Sequence, residues 1–523
     1  MLAQAHQLFD AIDSTTAAIA ATQFALTTLG LIYLASGIDD LFIDACYWLR
    51  ALYRSTVIRP KIRPLSVRTL RAKPEQPIAI LLPAWDEAAV LEPMLHRMLR
   101  TIDYRNFVVY VGVYPNDAAT RSAATRAAAQ DAHIRVVMLA HDGPTNKADC
   151  LNAIWRAVRA DEREGMGPFA IFVMQDSEDV IHPLAWRLFN WLIPRKDMVQ
   201  LPVLSLPRRW WQFTASHYMD EFAQQHLKDL VARESLHHSL PAAGVGVALS
   251  RRAMQALANH SNEGPFQISS LTEDYELGFR LRDLGLSQIF VKQWIQGERL
   301  SRHPLTLEWR RLPTRELICV REFFPDSLSA SVRQKSRWII GIALQAWRTL
   351  GWRGSWMTRY MLIRDRKVLI TSFAAVAGYP VLAIVGFAEL WEHLQGSSAP
   401  YTLVEPGGLL WYLLIANLWV LVLRAAQRAL FTGLLYGPME AALSLPRMVW
   451  GTIINALATL RALRLWAHHL RTGQTIGWDK TNHQFPRDIV DEAQGAAAEF
   501  AVQAISDRAA HREPAIKPPT RPN

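Results

Sequence analysis

Two carboxylates spaced two residues apart, Asp176 and Glu178, indicate metal chemistry. They follow the apolar run Phe169–Met174, which reads as a strand, and alternate residues of a strand point to the same side. Both side chains can therefore reach one hard cation, and Asp179 is a possible further ligand. Mg²⁺ and Mn²⁺ bind carboxylates together with substrate phosphate oxygens. The alternative is that these acids only cap the next helix, where the helix dipole favours negative charge.

Other charged residues follow neighbouring predicted strands. Glu87 comes just after the first strand, Asp117 after the second and Lys147 after the third. Lys147 is either a phosphate contact or a solvated surface lysine. Glu87 and Asp117 stand where helices begin, so each is either a ligand contact or an ordinary acid at a helix N-terminus.

Two further motifs lie nearer the C-terminus. Glu273 and Asp274 follow Thr272 at a predicted helix start, where helix capping is the alternative to a chemical role. A helix over residues 334–338 would place Gln334, Arg337 and Trp338 on one face, because they are three and four residues apart. A Trp beside an Arg near a membrane is also typical of an interfacial anchor.

The elements that must position these residues follow from the apolar pattern between residues 77 and 205. Short apolar runs alternate there with helical stretches such as Ala88–Arg100 and Asn146–Arg159. This alternation predicts an α/β fold with a mostly parallel sheet covered on both faces, in which ligands bind beyond the carboxyl ends of the strands. The predicted strands are Pro77–Pro83, Phe107–Tyr114, Ile134–Leu139, Phe169–Met174 and Met198–Leu204.

Three uncharged runs lie outside this block: Ser14–Ile38, Val368–Ala388 and Pro406–Leu423, with 25, 21 and 18 residues. The first is long enough to cross about 30 Å of hydrocarbon as a helix, and the other two are predicted spans as well. Eight basic and no acidic residues between Arg50 and Lys73 predict a cytoplasmic location for residues 50–367 and the C-terminus, with the N-terminus outside. The alternative is that the runs are buried core helices of a soluble protein.

A fourth apolar stretch, Met448–Leu460, has 13 residues and is too short to span. Its basic flanks favour an interfacial helix on the cytoplasmic face, or one buried against the preceding block. With the weakly polar stretch Phe431–Leu445 it is alternatively a re-entrant element.

The composition excludes several classes of protein. The chain has 523 residues, 50% of them hydrophobic and 20% charged, and its 19 Trp and 19 Phe exclude a largely disordered chain. Three cysteines without a CxxC pair exclude a disulfide scaffold and a structural zinc site. The net charge is +10, and the eight basic residues of 50–73 account for most of it. This concentration indicates a membrane face with anionic lipid and no nucleic-acid partner.

These motifs together resemble the membrane-embedded inverting glycosyltransferases of family 2, the group of cellulose and hyaluronan synthases. The resemblance covers about residues 15–465 and depends on the order and spacing of four segments: Lys147–Asn152, Asp176–Glu178, Thr272–Asp274 and Gln334–Trp338. Three more segments, Pro241–Gly246, Arg321–Pro325 and Trp478–Thr481 followed by His483–Pro486, are similar to the subgroup named for the phage N4 adsorption protein B.

The resemblance implies a GT-A-like domain that transfers a sugar from a nucleotide diphosphate sugar, expected to be a UDP-sugar, to a glycan or lipid acceptor with inversion. Asp274 would be the general base, and Asp176 with Glu178 would hold Mg²⁺ or Mn²⁺. The implied substrate contacts are Glu87, Asp117, Lys147, Glu273, Gln334, Arg337 and Trp338. Asp117 stands where the family has an Asp-Asp-Gly-Ser-like turn, and Glu178 stands where it has Asp, so the nucleotide base and the metal position stay open.

The expected function is polysaccharide synthesis at a bacterial inner membrane, processive and coupled to secretion, with an outer-membrane export partner. The alternatives are a transferase that makes a lipid-linked glycan and a non-enzymatic docking protein for phage uptake or export. Subgroup members often carry a C-terminal cyclic-dinucleotide-binding domain, which this sequence is too short to include, so such regulation is not inferred. The predicted organisation is a span in 1–49, a basic linker in 50–76, the transferase domain in 77–345, two spans with an outward loop in 346–430, an interfacial region in 431–486 and a polar, partly disordered tail in 487–523.

Overall fold

The structure is a computed structural model that describes residues 2–237, 239–302, 309–352, 354–395, 403–474, 476 and 485. The predicted tail 487–523 and the Trp478–Thr481 segment lie outside the described residues. The strands are β1 Ile78–Pro83, β2 Phe107–Val113, β3 Ile134–Met138, β4 Ile171–Met174, β5 Val180–Ile181, β6 Met198–Gln200, β7 Val203–Ser205, β8 Val247–Ser250, β9 Gln288–Phe290, β10 Trp294–Arg302, β11 Trp309–Leu317 and β12 Val320–Glu322.

The helices lie between the strands and at both ends of the described chain. They are α1 Leu2–Tyr53, α2 Val67–Ala72, α3 Ala88–Thr101, α4 Ala118–Gln130, α5 Lys147–Asp161, α6 Ala185–Leu192, α7 Phe213–Gln224, α8 Leu230–His237, α9 Arg251–Asn259, α10 Glu273–Asp283, α11 Leu328–Ile339, α12 Ala346–Thr349, α13 Trp356–Arg366, α14 Val368–Gln395, α15 Leu409–Tyr436 and α16 Pro438–Thr472.

A seven-stranded sheet in the order β3-β2-β1-β4-β8-β6-β9 forms the centre of the α/β block. Strands β1 to β4 run parallel, as the alternation of strands and helices predicts, and β8 is antiparallel to both of its neighbours. Alternate residues of β1 pack into two different cores, Ile80 with Leu91 of α3 and Leu81 with Leu151 of α5. The sheet is therefore covered on both faces, and its parallel strands bring their carboxyl ends to one edge.

The predicted strand Met198–Leu204 is wrong as a single element, because the structure divides it into β6 and β7. Pro202 stands between the two pieces and has no N–H to donate to a neighbouring strand. Strand β6 stays in the large sheet, whereas β7 pairs with β12 in a separate three-stranded sheet of order β5-β12-β7.

Three helices are long and apolar enough to cross a membrane among the residues described, and they coincide with the three predicted runs: Thr16–Lys61, Val368–Phe387 and Leu409–Tyr436. Helices α1 and α15 approach closely at two glycines. A Cβ atom on Gly37 would lie 2.4 Å from Val420 Cγ1, and one on Gly30 would lie 2.8 Å from Leu413 Cδ2. Small residues at such contacts allow close packing of apolar helices.

Helix α16 includes the stretch Met448–Leu460 and continues without interruption over 35 residues. Its fully buried Arg447 forms ion pairs with Asp220 of α7, at 2.8 Å, and with Glu440, at 2.6 Å. One side of α16 therefore packs on the α/β block, while Leu445, Val449 and Leu457 are exposed on the helix.

Candidate functional site

A cavity of about 760 Å³ opens beyond the carboxyl ends of β1 and β4. Nine of the ten residues singled out from the sequence line it: Glu87, Lys147, Asp176, Glu178, Glu273, Asp274, Gln334, Arg337 and Trp338. Residues that follow β1, β3 and β4 supply the first four, α10 supplies the next two, and α11 supplies the last three. Side chains from three distant parts of the sequence thus meet in one enclosed space.

Lys147 occupies the first turn of α5, which Asn146 caps by accepting the N–H of Asp149 at 2.9 Å. Its Nζ lies 2.6 Å from Asp176 Oδ1, and only 18% of its side chain is exposed. Burial disfavours the charged form, but Asp176, Glu273 and Asp274 outweigh burial and hold the pKa of Lys147 above its ordinary value. Lys147 is therefore a cation enclosed by three carboxylates and not a solvated surface lysine.

Asp274 lies in the first turn of α10, where its Oδ1 accepts the N–H of Tyr275 at 2.7 Å. Burial raises the pKa of Asp274, and repulsion from Asp176 adds to the rise, while Lys147 and Arg337 oppose it. Burial and the negative charge of Asp274 also raise the pKa of its neighbour Glu273 to about 8. A carboxylate with a raised pKa is well suited to accept a proton near neutral pH.

Helix α11 presents Gln334, Arg337 and Trp338 to the cavity, as their spacing predicts. The Trp338 ring stands edge-on to the ring of Phe324, with centroids 6.5 Å apart. The Arg337 guanidinium makes no hydrogen bond or ion pair with the side chains that the structure describes, so its five N–H donors are available for an anionic ligand.

Lys335 joins the same helix to two others. Its buried ammonium donates to Glu221 of α7 at 2.6 Å and to Asn455 of α16 at 2.8 Å. Burial opposes ionisation of Glu221, but the charge of Lys335 outweighs it and lowers the pKa of Glu221 to about 2. These contacts join α11, the helix of Arg337 and Trp338, to α7 and α16.

Asp176 and Glu178 follow β4 and offer hard oxygen donors to a divalent cation. Asp179 lies behind them with its Oδ2 accepting the N–H of Asp176 at 2.9 Å, and its buried Oδ1 has no hydrogen-bond partner among the described residues. Burial and the neighbouring charges of Asp176, Glu322 and Glu178 raise the pKa of Asp179 well above its ordinary value. A cation would relieve this repulsion. Within the described ranges no three His, Cys, Asp or Glu side chains form a complete metal cage, so remaining ligands would come from substrate and water.

Asp117 is the one predicted site residue that does not line the cavity among those described. Its carboxylate accepts the N–H of Asp86 at 2.6 Å and that of Thr120 at 3.1 Å, so it caps α4 and supports the turn after β1. Asp86 has a φ of +54°, a strained conformation for a non-glycine residue. The base contact implied for Asp117 stays a prediction.

The sequence motifs do not identify Gly244 as a site residue, although it lies in the segment Pro241–Gly246. Gly244 has a φ of +77°, and its carbonyl accepts a hydrogen bond from Lys147 Nζ at 3.2 Å. A Cβ atom there would lie 2.6 Å from Asp274 Oδ2 and 3.2 Å from Lys147 Nζ. The signal available was the glycine itself in a turn before β8, because glycine permits a positive φ and close approach.

The cavity also extends toward the candidate membrane helices. Its lining includes Tyr33 and Ser36 of α1, Ala374 of α14 and Arg424 of α15. The space beside Asp274 and Trp338 is therefore continuous with space between the apolar helices.

The sequence of the α/β domain matches one protein family. A family model described as glycosyltransferase-like family 2 matches residues 74–341, and the chain belongs to this family; its α/β domain is GT-A-like. The chain is 40% identical over 465 residues to bacteriophage adsorption protein B of Escherichia coli K12 and to bacteriophage N4 adsorption protein B of Escherichia coli O157:H7. Each match covers 88% of this chain and 62% of the relative, so the chain spans less than two thirds of these proteins.

Two solved structures show weaker similarity. Mannosyltransferase PcManGT from Pyrobaculum calidifontis, in complex with GDP-Man and Mn²⁺, is 15% identical with a TM-score of 0.49, over 84% of this chain and 99% of that one. Glucosyl-3-phosphoglycerate synthase from Mycobacterium tuberculosis, in complex with Mn²⁺, UDP-Glc and phosphoglyceric acid, is 21% identical with a TM-score of 0.26, over 44% and 75%.

Proposed function

We propose that this chain transfers a hexose from a nucleotide diphosphate sugar, expected to be a UDP-sugar, to an acceptor hydroxyl with inversion. Asp274 accepts the hydroxyl proton as the new glycosidic bond forms. The bond between the sugar and the diphosphate breaks on the opposite side of the anomeric carbon, and the nucleoside diphosphate leaves. Positioned proton transfer of this kind contributes about 10²–10⁴-fold to the rate.

Cationic groups stabilise the leaving group in this proposal. Asp176 and Glu178 would hold Mg²⁺ or Mn²⁺, which supplies Lewis-acid neutralisation of the diphosphate when bound. Arg337 binds the same diphosphate, because its planar fork offers paired donors to phosphate oxygens. Lys147 lies beside Asp176 and contributes a second positive charge. Glu87 and Glu273 contact the donor, and the base contact is assigned to Asp117.

The observation that carries the proposal is the convergence of Asp274, Arg337 and the Lys147–Asp176 pair on one cavity. A base, a diphosphate-binding cation and a metal-binding carboxylate are the parts that inverting sugar transfer needs. Trp338 adds a flat apolar ring on which an acceptor sugar can stack, and Gln334 orients that acceptor.

The extension of the cavity between α1 and α14 favours an acceptor that approaches from the membrane side. We assign the chain to a bacterial inner membrane, with the α/β domain in the cytoplasm, and the product to a growing polysaccharide that is secreted, with an outer-membrane export partner. A lipid-linked glycan is the second candidate product, because a lipid acceptor would enter the same space.

The names of the curated relatives favour a different candidate, a membrane docking protein used in phage adsorption. A docking protein without activity would not need Asp176, Asp274 and Arg337 together, and this chain retains all three. We therefore favour sugar transfer over docking as the function of this chain.

The test uses the full chain in lipid nanodiscs with a panel of nucleotide sugars, with Mg²⁺, Mn²⁺ or a chelator. Nucleoside diphosphate release with one donor, lost on chelation, is the expected result. A ladder of long products supports polysaccharide synthesis, and single-sugar addition to an extractable lipid supports the lipid-linked glycan. Absence of release with every donor would leave docking as the better assignment.

A further inference from the structure

Asp365 and Tyr275 connect the helix of the proposed base to the segment that enters the second apolar helix. The Tyr275 hydroxyl donates to Asp365 Oδ2 at 2.6 Å. Arg233 of α8 binds the same carboxylate through two hydrogen bonds, of 2.6 and 2.9 Å. Tyr275 is 4% exposed, and the Asp365 side chain is 14% exposed, so water competes little for these bonds.

Helix α10 depends on such contacts because its N-cap residue, Thr272, makes no side-chain capping bond. Glu276 instead accepts from the Thr349 hydroxyl at 2.7 Å, and Arg282 donates to the Thr358 hydroxyl at 2.6 Å. Thr349, Thr358 and Asp365 all belong to α12 and α13, the segment between α11 and α14. One stretch of chain thus holds α10 at three points along its length.

The neighbours of Asp365 are fixed to the first apolar helix. Arg364 lies 2.5 Å from Asp39, and Lys367 lies 2.8 Å from Asp40, both on α1. Asp365 therefore contacts α10 through Tyr275, while the residues beside it in the chain contact α1.

We propose that Asp365 is a positioning residue for Asp274. It fixes the Tyr275 hydroxyl, and the backbone N–H of Tyr275 in turn supports the Asp274 carboxylate, so Asp365 sets the direction in which that carboxylate points. The inference rests on the proposed function, because Asp274 acts as the base only in that reaction. A displacement of about 1 Å at a reacting group can cost about 10²-fold in rate.

The test compares Tyr275→Phe and Asp365→Asn with two matched controls in nanodiscs. Tyr110→Phe removes a hydroxyl that donates to Asp161 at 2.9 Å, and Asp197→Asn weakens the ion pair of 2.6 Å between the buried Asp197 carboxylate and the exposed Arg252; neither Tyr110 nor Asp197 lines the cavity. We expect kcat to fall about tenfold or more in Tyr275→Phe and Asp365→Asn, with the donor KM within about twofold of wild type. The controls should lose stability but keep kcat.

Hydrogen exchange of the α10 amides gives a second measurement that needs no turnover. Faster exchange of α10 in Tyr275→Phe, with unchanged exchange there in Tyr110→Phe, would show that the Asp365 contact holds α10. Absence of turnover with every donor would then count against the proposed function and not against this contact. Unchanged α10 exchange in both Tyr275→Phe and Asp365→Asn, or wild-type kcat in those two variants, would overturn it. Tyr275→Phe removes a single atom, so it keeps the test decisive if Asp365→Asn does not fold.

Discussion

The cavity has two sides that are built in different ways. One side, the strand-end rim, consists of Glu87, Lys147, Asp176 and Glu178, which lie in the segments that follow β1, β3 and β4. The other side, the helical wall, consists of the cavity-facing parts of α7, α10, α11 and α16 and carries Asp274, Arg337 and Trp338. Hydrogen bonding of parallel strands positions the rim, whereas the wall depends on contacts between distant residues, such as Lys335 with Glu221, 114 positions apart.

This difference predicts different consequences of substitution. The rim residues share one local charge arrangement on a rigid sheet, so a change there should alter binding of the donor and leave the fold intact. The wall residues combine chemistry with support, so a change there should alter the rate, the stability or both. Substitutions on each side test whether that division holds.

The largest effect is expected from Asp274→Asn on the wall. Loss of the base should lower kcat by about 10²–10⁴-fold, because the acceptor hydroxyl loses its proton acceptor in the transition state. Single-turnover transfer measures the contribution of the wall to the rate, and equilibrium binding of the donor measures the contribution of the rim. Donor binding should stay within a few-fold of wild type. Near wild-type transfer by Asp274→Asn would mean that Asp274 is not the base.

Asp176→Asn on the rim should have the next largest effect. A bound metal supplies several kcal/mol of charge stabilisation in the transition state, so the metal-dependent kcat/KM for the donor should fall by about 10²-fold or more. Titration of the donor with and without Mn²⁺ measures it, and Asp142→Asn, an exposed acid outside the cavity lining, is the control. Equal stimulation of both variants by Mn²⁺ would show that the rim does not hold the metal.

The rim is also the part that sequence reasoning could predict. The four strands β1 to β4 came from apolar runs bounded by turn residues, and the approach of Lys147 to Asp176 follows from parallel strands that end at one edge. The common face of Gln334, Arg337 and Trp338 followed from helical spacing alone. The strands and the helical face each depend on a short stretch of chain, and Lys147 meets Asp176 because the parallel strands end at one edge of the sheet.

The contacts of the wall could not be predicted in the same way. Tyr275 and Asp365 are 90 positions apart, and Lys335 and Asn455 are 120 apart, so their pairing depends on how whole helices pack. Asp117 shows a related limit, because the same residue type at a helix start either caps or binds, and only the tertiary structure shows that its carboxylate caps α4 and accepts the N–H of Asp86.

Lys335→Met tests the support of the wall. It leaves the Glu221 carboxylate without its ammonium partner, and breaking a buried pair costs about 3 kcal/mol or more. Thermal unfolding in detergent should show a clear loss of stability, and Lys335→Met with Glu221→Gln should recover most of it because no charge is left unpaired. A double variant as unstable as the single one would mean that the ion pair does not support α11.

Gly244→Ala tests the point where rim and wall touch. Its positive φ would cost about 1–3 kcal/mol with a side chain, and the new methyl group would displace Asp274 or Lys147. Gly246→Ala is the matched control, since Gly246 also has a positive φ, of +61°, but its Cβ would meet Val320. Both variants should lose similar stability, and only Gly244→Ala should also lose kcat, by about tenfold. Equal kcat in the two variants would mean that the close approach at Gly244 does not position Asp274 or Lys147.

The smallest effect expected is a shift in pH dependence that couples the two sides. Asp274 must be ionised to accept a proton, so transfer is lost as pH falls through the pKa of Asp274. Burial raises that pKa, so the acid limb of kcat should lie above the range of an ordinary aspartate, about 3.9. Lys147 on the rim opposes the rise, and Lys147→Met should therefore move the acid limb to still higher pH, whatever it does to the donor KM. An acid limb that stays in place in Lys147→Met would mean that the rim does not tune the base, and the two sides would then act independently.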